Sequence, residues 1–180
     1  MVQYRLAVMY ARGDGVAQDY KEAVKWFTLS AEEGWAPSLY NLGVLYENGT
    51  GVIENKKTAA KWYKLAAKQG DSLAQFNLAS MYYEGIGVLQ DYKEAFRLYQ
   101  LAARDENEKA HAMLSIMYAQ GEGVLQDYVS AHMWWNIAAS AGIESAANNR
   151  GIVAEQMTPS QLEKAQDLAR ACVAKDYKDC

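Results

Sequence analysis

The sequence predicts an all-α fold: an α-solenoid of antiparallel helix pairs in 36-residue repeats, closed by a C-terminal capping helix. Three observations predict it. Gly13-Asp14-Gly15-Val16 returns as Gly49-Thr50-Gly51-Val52, Gly85-Ile86-Gly87-Val88 and Gly121-Glu122-Gly123-Val124, always 36 residues on, with no insertion or deletion. Apolar residues at helical spacing flank every copy of this loop. After the fourth copy the pattern decays into one last amphipathic stretch.

In each repeat the helix before the loop, helix A, carries Leu6/Leu42/Leu78/Leu114, then Met9/Leu45/Met81/Met117 and Tyr10/Tyr46/Tyr82/Tyr118, which makes one buried face. Ala7, Gly43, Ala79 and Ser115 beside the leucine are small enough to let a neighbouring helix come close. In the loop, the first glycine ends helix A in the left-handed conformation, the second permits a further bend, and the valine plugs the hairpin.

Helix B opens on the N-caps Asp19, Asn55, Asp91 and Asp127, with Glu22 and Glu94 completing capping boxes. Ala23/Ala59/Ala95/Ala131, Trp26/Trp62/Leu98/Trp134, Phe27/Tyr63/Tyr99/Trp135, Leu29/Leu65/Leu101/Ile137 and Ala31/Ala67/Ala103/Ala139 make its buried stripe. Gly34, Gly70 and Gly142 stop it. The third repeat has Glu106 there, and Asn107 is expected to take over the turn. Repeats are thus expected over 1–34, 35–70, 71–106 and 107–142. A partial fifth over 143–157 has Arg150 in the leucine slot.

The last segment, 158–180, starts on Thr158-Pro159-Ser160-Gln161, a strong helix N-terminus. Leu162, Ala165, Leu168 and Cys172 form its apolar side, as a cap on the last repeat should. Two prolines and no Ser/Gly tract leave no linker, so the whole is expected to be one solenoid domain.

A formal charge of −4 argues against a nucleic-acid partner. No apolar run approaches the ~18 residues of a membrane span. With no signal peptide the chain reads at face value as cytoplasmic; a leader removed ahead of the abrupt first repeat would favour export instead. Cys172 and Cys180 would be free thiols in a reducing compartment and could staple the terminus in an exported protein.

The repeated residues resemble the Sel-one-like repeat, a relative of the tetratricopeptide repeat. The second copy shows most of the pattern: Leu42, Gly43, Tyr46, Gly49, Gly51, Val52, Ala59, Trp62, Tyr63, Ala66, Ala67 and Gly70. The resemblance covers about residues 2–154. It implies a right-handed superhelix acting as a non-enzymatic scaffold for a protein or peptide partner, with helix A lining the concave face. The partner-binding positions would be Tyr4, Val8 and Arg12; Tyr40, Val44, Glu47 and Asn48; Phe76, Ser80, Tyr83 and Glu84; and Ile116 and Gln120. An aromatic row with polar neighbours suits a peptide or helix laid in a groove.

Cysteine-rich relatives of that family imply an alternative, β-lactam binding or weak hydrolysis. No Ser-x-x-Lys supports it, and Thr58-Ala59-Ala60-Lys61 only approaches one. Those relatives also carry disulfides between cysteines eight positions apart, the spacing of Cys172 and Cys180. A continuous helix would hold that pair ~12 Å apart, so a bond requires the helix to end near Lys175–Tyr177.

A third alternative is a self-associating regulatory subunit, since little covers the first repeat's outer side. His111 reads as half-exposed and His132 as packed. No catalytic residue, metal ligand or cofactor site is expected. Lys57, Lys61, Lys64 and Lys68 form a basic stripe on the second helix B.

Overall fold

The computed structural model describes residues 1–178 and 180. Among the described residues the chain is a helical solenoid of ten helices with no strand. It divides into two compact units, Met1–Gln90 and Asp91–Cys180.

The first unit holds α1 (Val2–Arg12), α2 (Tyr20–Glu32), α3 (Ala36–Asn48), α4 (Lys56–Lys68) and α5 (Ser72–Glu84). Each helix packs on the next in chain order. The small-residue slot works as its spacing suggests. Ala7 is fully buried, and at Gly43 the ring of Tyr63 lies where a side chain would stand. Phe27, Leu39, Leu42, Tyr63 and Leu78 form the core, and Ser38 donates a buried hydrogen bond of 2.8 Å to Ser30.

The second unit holds α6 (Tyr92–Arg104), α7 (Glu108–Gln120), α8 (Tyr128–Ser140), α9 (Glu144–Ala154) and α10 (Pro159–Ala174). Helices α9 and α10 both pack on α8. Its core gathers Ala131, Trp135, Ala138, Ala146 and Val153.

The Gly-x-Gly-Val loop solves two problems. Its first glycine is the left-handed C-cap of helix A, as at Gly49 with φ 66°. Its second glycine answers a close approach rather than the bend alone. A Cβ on Gly51 would stand 2.5 Å from the carbonyl oxygen of Tyr20, the first residue of the preceding helix B. Gly87 meets Lys56 in the same way, and Gly123 meets Tyr92. Gly15 in the first repeat has only the tip of Met9 nearby, at 3.7 Å. The second glycine of the second, third and fourth copies is therefore the place of a stacking contact with the start of the preceding helix B.

The hairpins of the first, second and fourth repeats close with the same backbone bond. The N-cap N–H of helix B donates to the tyrosine carbonyl of helix A: Asp19 to Tyr10, Asn55 to Tyr46 and Asp127 to Tyr118, at 2.8–2.9 Å. The carbonyl one residue later accepts from Gln18, Gln90 or Gln126, and in the second repeat from the Lys56 ammonium. Last-turn carbonyls that no helix can satisfy internally are thereby paired.

Several sequence expectations need correction. Asp19 caps α2, but Glu22 turns to Lys25 instead of back to Asp19, because the Asp19 N–H is already held by Tyr10. Leu29 and Leu65 are 40% and 45% exposed. They lie two residues beyond the buried Phe27 and Tyr63, about 200° round the helix. Only Ile137 in that slot is buried, at 2%, where α10 lies over α8. Leu6 is half-buried and Met9 exposed, whereas Leu42, Leu45, Leu78, Met81, Leu114 and Met117 in the same slots are buried. Leu168 is exposed, and Ala169 takes its place in the buried side of α10. Glu106, not Asn107, adopts the left-handed turn, at φ 58°, while Asn107 caps α7. Helix α10 begins with the expected capping box of Thr158 and Gln161.

Candidate functional site

The candidate positions on helix A fall into separate groups in the two units. In the first unit, Tyr4 is half-buried, its ring 5.9 Å from Phe27 and 6.3 Å from Trp35. Val8 and Val44 are half-buried, and Arg12 and Asn48 are exposed at helix ends.

Tyr40 and Glu47 are joined through a residue of helix B. Tyr40 stands 5.9 Å from Tyr63, and the Tyr63 hydroxyl donates a 2.6 Å hydrogen bond to Glu47. Burial, then this bond to a carboxylate, pushes the Tyr63 phenol far above its usual range. Burial first and Asp71 second raise Tyr40 as well. Both phenols therefore stay protonated donors at any physiological pH. Glu47 is thus a positioned carboxylate, and its backbone oxygen is held by Lys56 at 2.7 Å.

On α5, Phe76, Ser80 and Tyr83 are half-buried and Glu84 is exposed. Ser80 donates back to the Phe76 carbonyl, and the Tyr83 carbonyl accepts from Gln90. The first contact lies within α5, and the second ties α5 to the loop that follows it.

In the second unit, Ile116 and Gln120 line a cleft of about 330 Å³ with Ala119, Trp135, Asn149, Ile152 and Val153. Trp135 forms its floor from the core, and Ile152 is 63% exposed at its rim. Reasoning from sequence missed Trp135, Asn149 and Ile152. The signal was present: Ile152 stands one 36-residue step beyond Ile116, the fifth member of the Val8, Val44, Ser80, Ile116 row. Arg150 in the leucine slot obscured the register. It is half-buried and donates to Asn136 at 2.6 Å.

His111 corrects another expectation. It is 1% exposed, not half-exposed. Its Nε2 lies 3.1 Å from the Ala103 carbonyl, and its ring stacks on Trp134 and Tyr177 at 5.3 and 4.9 Å. Gln75, one repeat earlier, donates to the corresponding carbonyl of Ala67. The shared bond requires Nε2 to carry the proton, leaving Nδ1 as an acceptor, and that atom has no partner. Burial lowers the His111 pKa, and burial followed by Arg150 lowers that of His132. Among the described residues no group of three His, Cys, Asp or Glu is placed to hold a metal. No described helix is long and apolar enough to cross a membrane. Cys172 and Cys180 are bonded, with Cα atoms 5.3 Å apart, and α10 ends at Ala174 as that bond requires.

The Sel1 repeat family model matches four consecutive stretches, residues 1–35, 36–71, 72–107 and 108–143. The chain belongs to the Sel1 repeat family. No curated protein matches it. Among solved structures it is similar to a Sel1 repeat protein from Oxalobacter formigenes, at 35% identity and TM-score 0.77, over 80% of this chain and 59% of that one. It is also similar to a protective antigen of uropathogenic Escherichia coli strains that displays an SLR fold. There the identity is 33% and the TM-score 0.84, over 97% of this chain and 38% of the other. This Sel1 repeat chain thus spans less than two thirds of either relative. Cysteine rich protein B of Helicobacter pylori, at 23% identity and TM-score 0.54 over 60% of this chain and 80% of that one, shares the fold alone. Sel1 repeats form a scaffold fold generally used for protein interaction, and the family is typically non-enzymatic.

Proposed function

We propose that this Sel1 repeat protein is a non-enzymatic adaptor that binds a peptide or helix of a partner protein along its helix-A residues. The cleft of the second unit is the best-developed part of that surface. The observation that carries the reading is this cleft, with an indole floor, two amides and an exposed isoleucine at the rim. Apolar floors with a few polar groups are what peptide-binding grooves provide. In the first unit Tyr40, Val44 and Glu47 offer the same combination, with Glu47 oriented by Tyr63. The disulfide supports an oxidising, exported location, since such bonds persist there.

The test is affinity for a partner recovered from the source cell and then purified. Ile152→Asp should weaken it at least tenfold without lowering the melting temperature, because Ile152 is mostly solvent-exposed. Lys64→Glu, on the exposed side of α4, should leave it unchanged. Equal affinity of the Ile152 variant and the parent would remove the cleft from the binding surface.

A further inference from the structure

The end of the second unit has a feature that partner binding leaves unused. Tyr177 lies three residues past α10, and its ring stacks on His111 at 4.9 Å, as that of Trp134 does at 5.3 Å. The imidazole is sealed there, with a lone pair on Nδ1 that nothing satisfies.

Tyr177 is half-buried, and its described neighbours in the tail are not. Lys175, Asp176 and Lys178 are exposed. Asp176 and Tyr177 both take left-handed backbone conformations, φ 49° and 60°, which side chains other than glycine rarely adopt. Two such residues in a row need an external constraint. Backbone bonds run through the turn, from the Lys175 and Tyr177 N–H groups to the Cys172 carbonyl, from Asp176 to Val173 and from Lys178 to Lys175, each at 3.1 Å. The turn has one covalent tie across it, Cys172 to Cys180. Cys172 is buried on the inner side of α10 and Cys180 is exposed, so the tie is anchored at one end and reachable at the other.

We propose that the Cys172–Cys180 disulfide is a redox latch that holds Tyr177 as a lid on His111. Its reduction by a dithiol opens the lid and uncovers the side of the His111 imidazole on which Tyr177 stacks. In the opening step a reductant thiolate attacks the Cys180 sulfur. The Cys172–Cys180 bond breaks, and Cys172 leaves as thiolate and takes a proton. The reductant's second thiol then displaces Cys180 from the mixed disulfide, and Cys180 is protonated in turn. The protein gains two electrons and two protons, and the dithiol becomes a disulfide. With the tie gone, the left-handed turn relaxes and Tyr177 leaves the stack.

The chain has two histidines, which makes the test internal. His132 is buried on α8, two residues and about 200° round the helix from Trp134, and reports on unfolding of the unit. Protein with the disulfide intact is compared with protein reduced by dithiothreitol, capped with iodoacetamide and desalted. Both are pulsed with diethylpyrocarbonate, and modification of each histidine is read by peptide mass spectrometry. The latch predicts a rise of at least tenfold in the His111 rate and none at His132. Cys180→Ser should show the same rise without reductant, and Tyr177→Ala should show it with the disulfide intact. An unchanged His111 rate in Cys180→Ser would overturn the proposal. So would a parallel rise at both histidines, which would mean that the unit loosens as a whole.

Discussion

Replacing Gly51 with alanine separates stacking from turn geometry. Gly51 and Gly70 both hold positive φ, 75° and 88°, and both lie inside the first unit. An alanine at either position bears the cost of the left-handed backbone, about 1–2 kcal/mol. Beyond that the two sites differ. Nothing lies within 4 Å of a Cβ at Gly70. At Gly51 the Cβ would meet the Tyr20 carbonyl oxygen at 2.5 Å and its carbon at 2.6 Å. Backbone cannot rotate aside as a side chain can, so the loop must lift off α2, at an overpacking cost of about 1–3 kcal/mol. Gly51→Ala should therefore be the less stable variant by about 1–3 kcal/mol. For a chain of this size that is a melting temperature roughly 2–12 °C below that of Gly70→Ala. Urea and thermal unfolding followed by circular dichroism measure both. Equal loss in the two variants would refute the stacking role and leave turn conformation as the only reason for the glycine. Gly15→Ala should behave like Gly70→Ala, since a Cβ there meets only the tip of Met9 at 3.7 Å.

Three more outcomes follow from named contacts. His111 and His132 both have folded pKa values lowered by burial, so their contribution to stability is whole above the unfolded value of about 6.5 and is lost as pH falls below it. His111→Gln keeps a donor for the Ala103 carbonyl, as Gln75 does for Ala67. It should flatten the acid-side loss by up to ~1.4 kcal/mol per pH unit, measured by urea unfolding between pH 7 and 5. Glu106→Gly removes a side chain from a left-handed position and should raise stability by roughly 1 kcal/mol in the same assay. Ala95→Leu forces a larger group into a fully buried site and should cost about 1–3 kcal/mol, with an unchanged midpoint speaking against the helix-B register.

Much of the fold was legible because the 36-residue step repeats without slippage and each loop carries its own C-cap and N-cap chemistry. Asp19, Asn55, Asp91 and Asp127 all cap where their side chains indicated. What the sequence hid was contact between elements far apart in the chain. The second glycine looked like a turn residue, yet its space is set by a helix start 31 residues earlier, as between Gly51 and Tyr20. Leu29 looked buried because leucine usually is, yet it points away from its own hairpin. His111 looked half-exposed by analogy with Gln75, itself buried, and the tail that covers it lies outside the repeat. The candidate site was legible only as a row of slots. Its deepest part needed Trp135 from helix B and Ile152 from a helix whose own repeat pattern has eroded.

The central claim is that stacked hairpins leave their helix-A residues as the partner surface. Site-specific photo-crosslinking in the source cell tests it most directly, with the crosslinker placed at Ile116 or Ile152 and, as a comparison, at the exposed Gln100 of helix B in the same unit. The account predicts one partner band shared by positions 116 and 152 and absent at 100. A partner captured from position 100 and from neither isoleucine would contradict it.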